Sequence, residues 1–238
     1  MIELAGHRSE HGAVTIFKSA SRSSHIYMNG DAFQSEADSR GISLASYIHA
    51  LYGLIHQQRS RSVLVIGCAG GTLATMLALG GFETTIIDVN PVSFEFARIY
   101  FCLPQSVECH VADGFDYLAG TDRRFDSIVL DAYDGSVVPA RLTTTAFLLL
   151  VRSQLNSGGC FFANIHMRDD WDRAQDALAA NAKQVWPQVR VLDSPGVANR
   201  NAIVAAGSVG SLVVPRLLLQ PAYESGTIEG ELAALEFF

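Results

Sequence analysis

From residue 62 onward, short apolar runs alternate with stretches whose apolar residues recur at helical spacing. Alternation of this kind is typical of strands and helices that follow one another in an α/β protein. The predicted strands lie near 62–67, 84–88, 107–111, 126–131 and 159–165. The predicted helices lie near 71–80, 91–102, 114–119, 143–155 and 171–185. A closing antiparallel pair is expected near 187–192 and 201–206, so the pattern predicts a doubly wound, mostly parallel sheet.

The first 60 residues have a different pattern. Residues 13–18 and 25–28 alternate apolar and polar side chains around a serine-rich turn, which predicts a short N-terminal β-hairpin followed by a turn at Asn29-Gly30. Apolar residues then form a helical stripe that we expect to pack on the sheet, at positions 44, 47, 48, 51, 52 and 55.

We expect three parts in the chain: the hairpin and helix over 1–60, the α/β domain over 61–207, and a tail over 208–238 packed on the core or on a partner. Residues 212–219 of the tail are apolar but irregular, and we interpret them as an edge element or a partner surface. The Gly158-Gly159 pair is expected to end the helix before the fifth strand.

Composition excludes several classes of protein. Hydrophobic residues make up 49% and charged residues 17%, which is typical of a globular domain rather than a disordered chain. No apolar stretch reaches the roughly 18–20 residues that cross a bilayer, and the first residues lack the layout of a signal peptide, so we expect a cytoplasmic protein without membrane association. A net charge of −7 without a basic cluster argues against nucleic-acid binding.

The four cysteines, at 68, 102, 109 and 160, have no Cys-x-x-Cys spacing, which favours buried thiols over a zinc site. We therefore predict no metal.

A glycine-rich turn follows the first predicted strand of the α/β domain, at Gly67, Ala69, Gly70 and Gly71. Roughly half of such turns would be ordinary strand-to-helix connections. Here, however, the next three strands end at Asp88, at Asp113-Gly114 and at Asp131. The carboxyl ends of parallel strands share one edge of a sheet, where glycines allow close backbone approach and an acid can bind ribose hydroxyls. The pattern predicts a nucleoside site over 61–207.

A second candidate site lies on the loop after the fourth predicted strand, in the sequence Asp131-Ala-Tyr-Asp134. Its two carboxylates could bond their own turn, or they could converge on a substrate, with one of them deprotonating an amine. Tyr133, between them, could stack on a ligand or cover the core. His166, at the end of the fifth strand, is an isolated histidine without an evident partner.

In the order of these features the chain resembles the spermidine synthase (polyamine aminopropyltransferase) family. The resemblance covers about residues 26–206, and its most specific part runs from Asp113 through the Phe125-to-Asp131 strand and Asp134 to Phe147. It implies the class I methyltransferase-like Rossmann fold and transfer of an aminopropyl group from decarboxylated S-adenosylmethionine to a polyamine amine.

The resemblance also implies roles for single residues. Asp88 would bind the ribose, and Asp113 with Gly114 would face the adenine. Asp131 would be the catalytic base, and Asp134 would help to bind the amine substrate. Gln34 matches a family glutamine near the sulfonium, displaced by one position, and a family glutamine of the substrate pocket is replaced by Asn164.

One departure concerns the donor. The family's glycine loop typically carries an aspartate that meets the amine end of the aminopropyl chain, and Gly70 stands in its place. The donor could therefore be decarboxylated or ordinary S-adenosylmethionine. Two alternatives to aminopropyl transfer stay open: a methyltransferase of unknown acceptor and a non-catalytic nucleoside-binding protein. The family and the apolar tail also suggest a homodimer.

Overall fold

The computed structural model of the chain describes residues 1–135 and 137–238. In this part of the chain the strands are β1 Ile2–Ser9, β2 Gly12–Lys18, β3 His25–Asn29, β4 Ala32–Ala37, β5 Ser62–Ile66, β6 Glu83–Asp88, β7 Glu108–Val111, β8 Phe125–Leu130, β9 Leu155–Met167, β10 Val189–Asp193, β11 Arg200–Gly207 and β12 Glu236–Phe237. The helices are α1 Ser46–Gln57, α2 Thr72–Leu79, α3 Pro91–Tyr100, α4 Gly114–Gly120, α5 Thr145–Ser153, α6 Ala174–Lys183 and α7 Ser225–Ala233, with a 3₁₀ turn over Ala140–Thr143.

The central sheet has the strand order β12-β10-β11-β9-β8-β5-β6-β7. Strands β5 to β9 run parallel, whereas β10, β11 and β12 pair antiparallel at one side. Apolar helix faces cover both sides of the sheet, which is why the central strands are continuous apolar runs rather than alternating ones. The doubly wound, mostly parallel fold with a closing antiparallel pair is confirmed.

The chain reverses its direction of travel across the sheet at β5. This strand pairs with β6 on one side and with β8 on the other. The helices that follow β5 and β8 therefore lie on opposite faces of the sheet and leave a crevice at the carboxyl ends of the strands, the place where open α/β sheets bind ligands.

The N-terminal region forms a four-stranded antiparallel sheet in the order β1-β2-β3-β4. The predicted hairpin is present as β2 and β3, but the prediction missed the strands on either side of it. No residue of β1 is buried, and most are exposed. The strand therefore has no buried face that would require a regular alternation of apolar and polar residues, the signal by which a strand is predicted. The sheet packs through Val14, Ile16 and Tyr27 on Phe96 and Phe101 of the α3 region.

The tail returns to the core. Residues 212–219 form no strand, and the edge element lies later, where β12 pairs with β10. Val213 exchanges two hydrogen bonds with the side chain of Gln57, and Pro215 packs so closely on Gly53 that a Cβ there would lie 2.6 Å from the proline ring. Helix α7 then adds Ile228 and Leu232 to the core.

Three local expectations differ from the structure. The Gly158-Gly159 pair does not end a helix, because α5 ends at Ser153 and both glycines lie within β9. The helix predicted near 143–155 is present as the shorter α5, Thr145–Ser153, which begins where the Thr144 hydroxyl accepts a hydrogen bond from the Phe147 N–H and caps the helix. Cys102 is exposed rather than buried.

Candidate functional site

The glycine turn links β5 to α2 at the crevice. Gly67, Ala69 and Gly71 all have positive φ angles, of 106°, 45° and 63°. A Cβ at Gly67 would lie 2.2 Å from the backbone oxygen of Asp131, so only glycine allows these two loops to meet. A Cβ at Gly70 would lie 3.0 Å from the Phe101 ring and from the Ser35 Cβ.

Asp88 stands at the end of β6 and is tied to the glycine turn. Its carboxylate accepts hydrogen bonds from the backbone N–H of Cys68 at 2.8 Å and of Asn90 at 2.7 Å. Burial raises the pKa of Asp88, and these hydrogen bonds oppose the rise. The carboxylate therefore organises the turn while lining the cavity above it.

Asp113 is the N-cap of α4. One carboxylate oxygen accepts hydrogen bonds from the N–H groups of Phe115 and Asp116, and the same oxygen lies 3.1 Å from the Arg141 guanidinium. Gly114 follows with no room for a side chain, because a Cβ there would lie 2.5 Å from Ile66. Asp113 thus has one oxygen committed to the fold, and no described residue bonds the other.

Asp131 follows β8 and is held from two sides. The amide nitrogen of Asn164 on β9 donates to its Oδ1 at 2.8 Å, and the hydroxyl of Tyr47 on α1 faces the same carboxylate. Burial raises the pKa of Asp131 to about 7, although Asn164 and Tyr47 both lower it. A carboxyl group with a pKa near 7 can accept and release a proton at physiological pH.

Tyr133 and Asp134, in the same loop, make their hydrogen bonds elsewhere. The Tyr133 hydroxyl donates to the backbone oxygen of Asn164 and accepts from the backbone N–H of His166, both at 2.9 Å. This hydroxyl is therefore committed to β9, and its ring packs on the core while lining the cavity. Asp134 is exposed and closes its own turn by a backbone bridge with Val137.

The N-terminal sheet forms the opposite wall. Gln34 lines the cavity, and the neighbouring Ser35 hydroxyl accepts a hydrogen bond from the Gly70 N–H at 3.2 Å. The turn between β1 and β2 places His11 near the Asp88 carboxylate. The glycine turn is thus covered from above by β4 and by this turn.

All of these groups surround one cavity of about 1170 Å³. In the described residues its charged lining comprises six carboxylates and a single arginine. The acids are Glu10, Asp88, Asp113, Asp131, Asp134 and Glu231. The arginine, Arg200, is neutralised by Asp193 at 2.6 Å and by Asp170 at 2.9 Å. The cavity is accordingly suited to a positively charged ligand.

The structure brings every residue that we predicted for the site to this cavity or to its glycine turn. The sequence analysis missed Tyr47, Asn201 and the α7 end of the wall, which includes Glu231. Tyr47 lies on the apolar stripe of α1, a pattern that predicts packing on the sheet. Its hydroxyl was the available signal, because a tyrosine at a buried position needs a hydrogen-bond partner.

Two properties of the described residues bear on cofactors and membranes. Over residues 1–135 and 137–238, no three His, Cys, Asp or Glu side chains are grouped so that they could hold a metal ion. The helices in the same ranges are too short or too polar for any of them to cross a membrane.

Comparison with known proteins gives a family match. Residues 45–191 match the family model of the spermine/spermidine synthase domain. The probable polyamine aminopropyl transferase of Bifidobacterium longum is 27% identical over 177 residues, which cover 72% of this chain and 40% of that protein. The eEF1A lysine and N-terminal methyltransferase homolog of Drosophila melanogaster is 28% identical over 180 residues, covering 69% of this chain and 24% of that protein.

These two relatives are much longer than the part that matches, since the chain spans at most two fifths of their length. Among solved structures, a probable spermidine synthase from Corynebacterium glutamicum superposes with a TM-score of 0.77 at 17% identity. That superposition covers 99% of this chain and 89% of the other. At this identity the likeness demonstrates a shared fold.

Proposed function

Because the chain belongs to the spermine/spermidine synthase domain family, we propose that it is a transferase that moves an aminopropyl group from a sulfonium nucleoside to an amine. Relatives in this family are named polyamine aminopropyltransferases. The single observation that carries the proposal is the Asp131 carboxylate, which the Asn164 amide holds on the same cavity as the glycine turn and Asp88.

The cavity is suited to hold both substrates. Pockets for a single small ligand usually enclose about 300–1,000 Å³, and this one is larger at about 1170 Å³. Glycines without room for a Cβ allow a nucleoside to approach the backbone, and Asp88 has the position of a ribose-binding acid. The co-substrate would be decarboxylated or ordinary S-adenosylmethionine, whose sulfonium makes the adjacent carbon electrophilic.

In the proposed reaction the protein has to accept a proton and to align the amine nitrogen with the electrophilic carbon. An ionised Asp131 would accept a proton from the ammonium form of the acceptor, and the nitrogen lone pair that this frees forms the new C–N bond while the C–S bond breaks and its electron pair returns to sulfur. The acidic lining attracts a cationic acceptor, and a bound cation beside Asp131 favours the ionised form of the base. Asp134, exposed at the mouth, would bind a second positively charged nitrogen.

The proposal is tested by turnover with decarboxylated S-adenosylmethionine and putrescine, with methylthioadenosine measured by mass spectrometry. Asp131→Asn should lower turnover by about 10²–10⁴-fold and leave the affinity for methylthioadenosine unchanged. Turnover that survives this change contradicts the assignment of the base. A wild-type protein that binds the nucleoside and turns over neither donor would instead be the non-catalytic binding protein.

Methyl transfer is the second candidate, and the surroundings of Gly70 favour it. At the position of the family aspartate, the Phe101 ring and Ser35 pack on a glycine that carries no charge. Nothing at this point would repel the carboxylate of ordinary S-adenosylmethionine. Calorimetric titration with both donors separates the candidates: tighter binding of the carboxylated donor, with S-adenosylhomocysteine as product, would establish methyl transfer and defeat aminopropyl transfer.

Two further expectations accompany the proposal, a homodimer and a cytoplasmic location. Light scattering on the purified protein would test the first, and fluorescence microscopy of a tagged protein would test the second.

A further inference from the structure

A buried amide connects the proposed base to a residue that does not touch it. Asn164 is 1% exposed, and both ends of its side chain are engaged. Its Nδ2 donates to Asp131 at 2.8 Å, and its Oδ1 accepts from Nδ2 of Asn201 at 2.9 Å. The three side chains therefore form a short chain of hydrogen bonds that runs from β11 through β9 to the loop after β8.

The strand pairing makes this contact possible. In the antiparallel ladder of β9 and β11, Asn164 lies opposite Ile203 and Asn201 lies opposite His166. Asn164 and Asn201 are thus diagonal neighbours on one face of the sheet, close enough for two short amide side chains to meet. The insertion of β11 between β9 and β10 brings Asn201 to this position.

The orientation of the Asn164 amide decides whether Asp131 receives a hydrogen bond. An ionised carboxylate can only accept, so Asn164 must present its NH₂ group and not its carbonyl oxygen. The NH₂ group of Asn201 needs an acceptor, which the Asn164 carbonyl provides only in that same orientation. With the Asn201 amide in its present orientation, a reversed Asn164 amide would place two donors against each other at the Asn201 end and two acceptors against each other at the Asp131 end.

We propose that Asn201 is a positioning residue for the base, because it holds the Asn164 amide in the one orientation that places an N–H group on Asp131. The inference rests on the proposed function only in treating Asp131 as the base. Asn201 touches neither reacting atom, and it acts through Asn164.

The other groups that face Asp131 do not supply this effect. They are the phenols of Tyr47 from α1 and of Tyr133 from the loop itself. Burial raises the pKa of both phenols, so each stays neutral between pH 5 and 9. His166 lines the same cavity, and for this reason the titration should be followed on the Asp131 carboxyl carbon itself.

The test is a carbon-13 NMR titration of the ligand-free protein, with the Asp131 signal identified by its absence in Asp131→Asn. Asn201→Ala should raise the pKa of Asp131 by about one unit, as expected when a hydrogen bond to a charged group is weakened. Asn201→Leu, which keeps the branched shape and removes the donor, should have the same effect if the alanine variant folds poorly. Turnover at pH 7 should fall about fivefold in either variant and recover at pH 9.

The decisive control is the Asn164→Ala background. Since Asn201 acts through Asn164, the double variant should titrate within ~0.3 units of Asn164→Ala alone. An unchanged titration in both Asn201 variants, or a full second shift in the double variant, would overturn the inference. A shifted titration in a protein without turnover would retain the positioning role and count against the proposed function instead.

Discussion

Replacing Asp131 by asparagine should make the protein more stable in alkaline solution, although it removes the proposed base. The pKa of Asp131 is about 7 in the folded protein against an ordinary value of 3.8. The folded state therefore binds this proton more tightly than the unfolded state does. The stability that results is fully present below about pH 4 and is lost as the pH rises to 7.

The size of the effect follows from the separation of the two pKa values. A difference of about three units corresponds to about 4 kcal/mol at 1.36 kcal/mol per unit, and the penalty is complete above pH 8. Asparagine has nearly the same shape, keeps an oxygen for the Asn164 N–H and never ionises. The variant should match the wild type near pH 4 and exceed its free energy of unfolding by about 4 kcal/mol at pH 8.5.

Urea denaturation at pH 4.5, 6, 7 and 8.5 is the appropriate measurement, with Asp134→Asn as the matched control because it replaces an exposed carboxylate of the same loop. The control should differ from the wild type by no more than about 0.5 kcal/mol at each pH. If the difference between Asp131→Asn and the wild type is independent of pH, Asp131 titrates as an ordinary surface acid, and the argument for a base poised near neutrality fails with it.

Three further predictions concern other contacts. Tyr47→Phe removes a donor from Asp131 and should raise the lower inflection of the pH–rate profile by about one unit; an unmoved inflection would show that the hydroxyl does not act on the base. Asp88→Ala should weaken methylthioadenosine binding by about 1.5–3 kcal/mol in calorimetry, and unchanged affinity would refute the ribose assignment. Arg200→Met leaves the buried Asp193 without its partner and should lower the free energy of unfolding at pH 7 by about 3–5 kcal/mol; a denaturation midpoint equal to that of the wild type would contradict this.

The regular part of the fold could be predicted because its elements are apolar runs of characteristic period. Every parallel strand presents its carboxyl end at the same edge of the sheet, so acids that follow β6 and β8 had to share one rim. Asp88 and Asp131 therefore emerged from local pattern and topology alone. The same argument located the glycine turn.

The supporting residues could not be predicted in this way, because their roles depend on neighbours distant in the chain. Asn201 meets Asn164 only because β11 inserts between β9 and β10, and no local pattern encodes strand order. Tyr47 lies on an apolar stripe whose period predicts burial but not what the hydroxyl will bond. Glu231 reaches the cavity because α7 packs on α1. The residues before α7 have no regular pattern, so the sequence does not predict this contact.

The meeting of Gly67 with the backbone of Asp131 has a consequence for evolution and engineering. The first glycine of a nucleotide-binding turn is needed for the tight turn itself, and here even a methyl group would also collide with the peptide that carries the proposed base. The proposed nucleoside site and the proposed base therefore depend on the same glycine. Libraries that diversify position 67 should yield mostly inactive clones even among those that still retain ligand, and redesign of donor preference is better begun elsewhere around the rim.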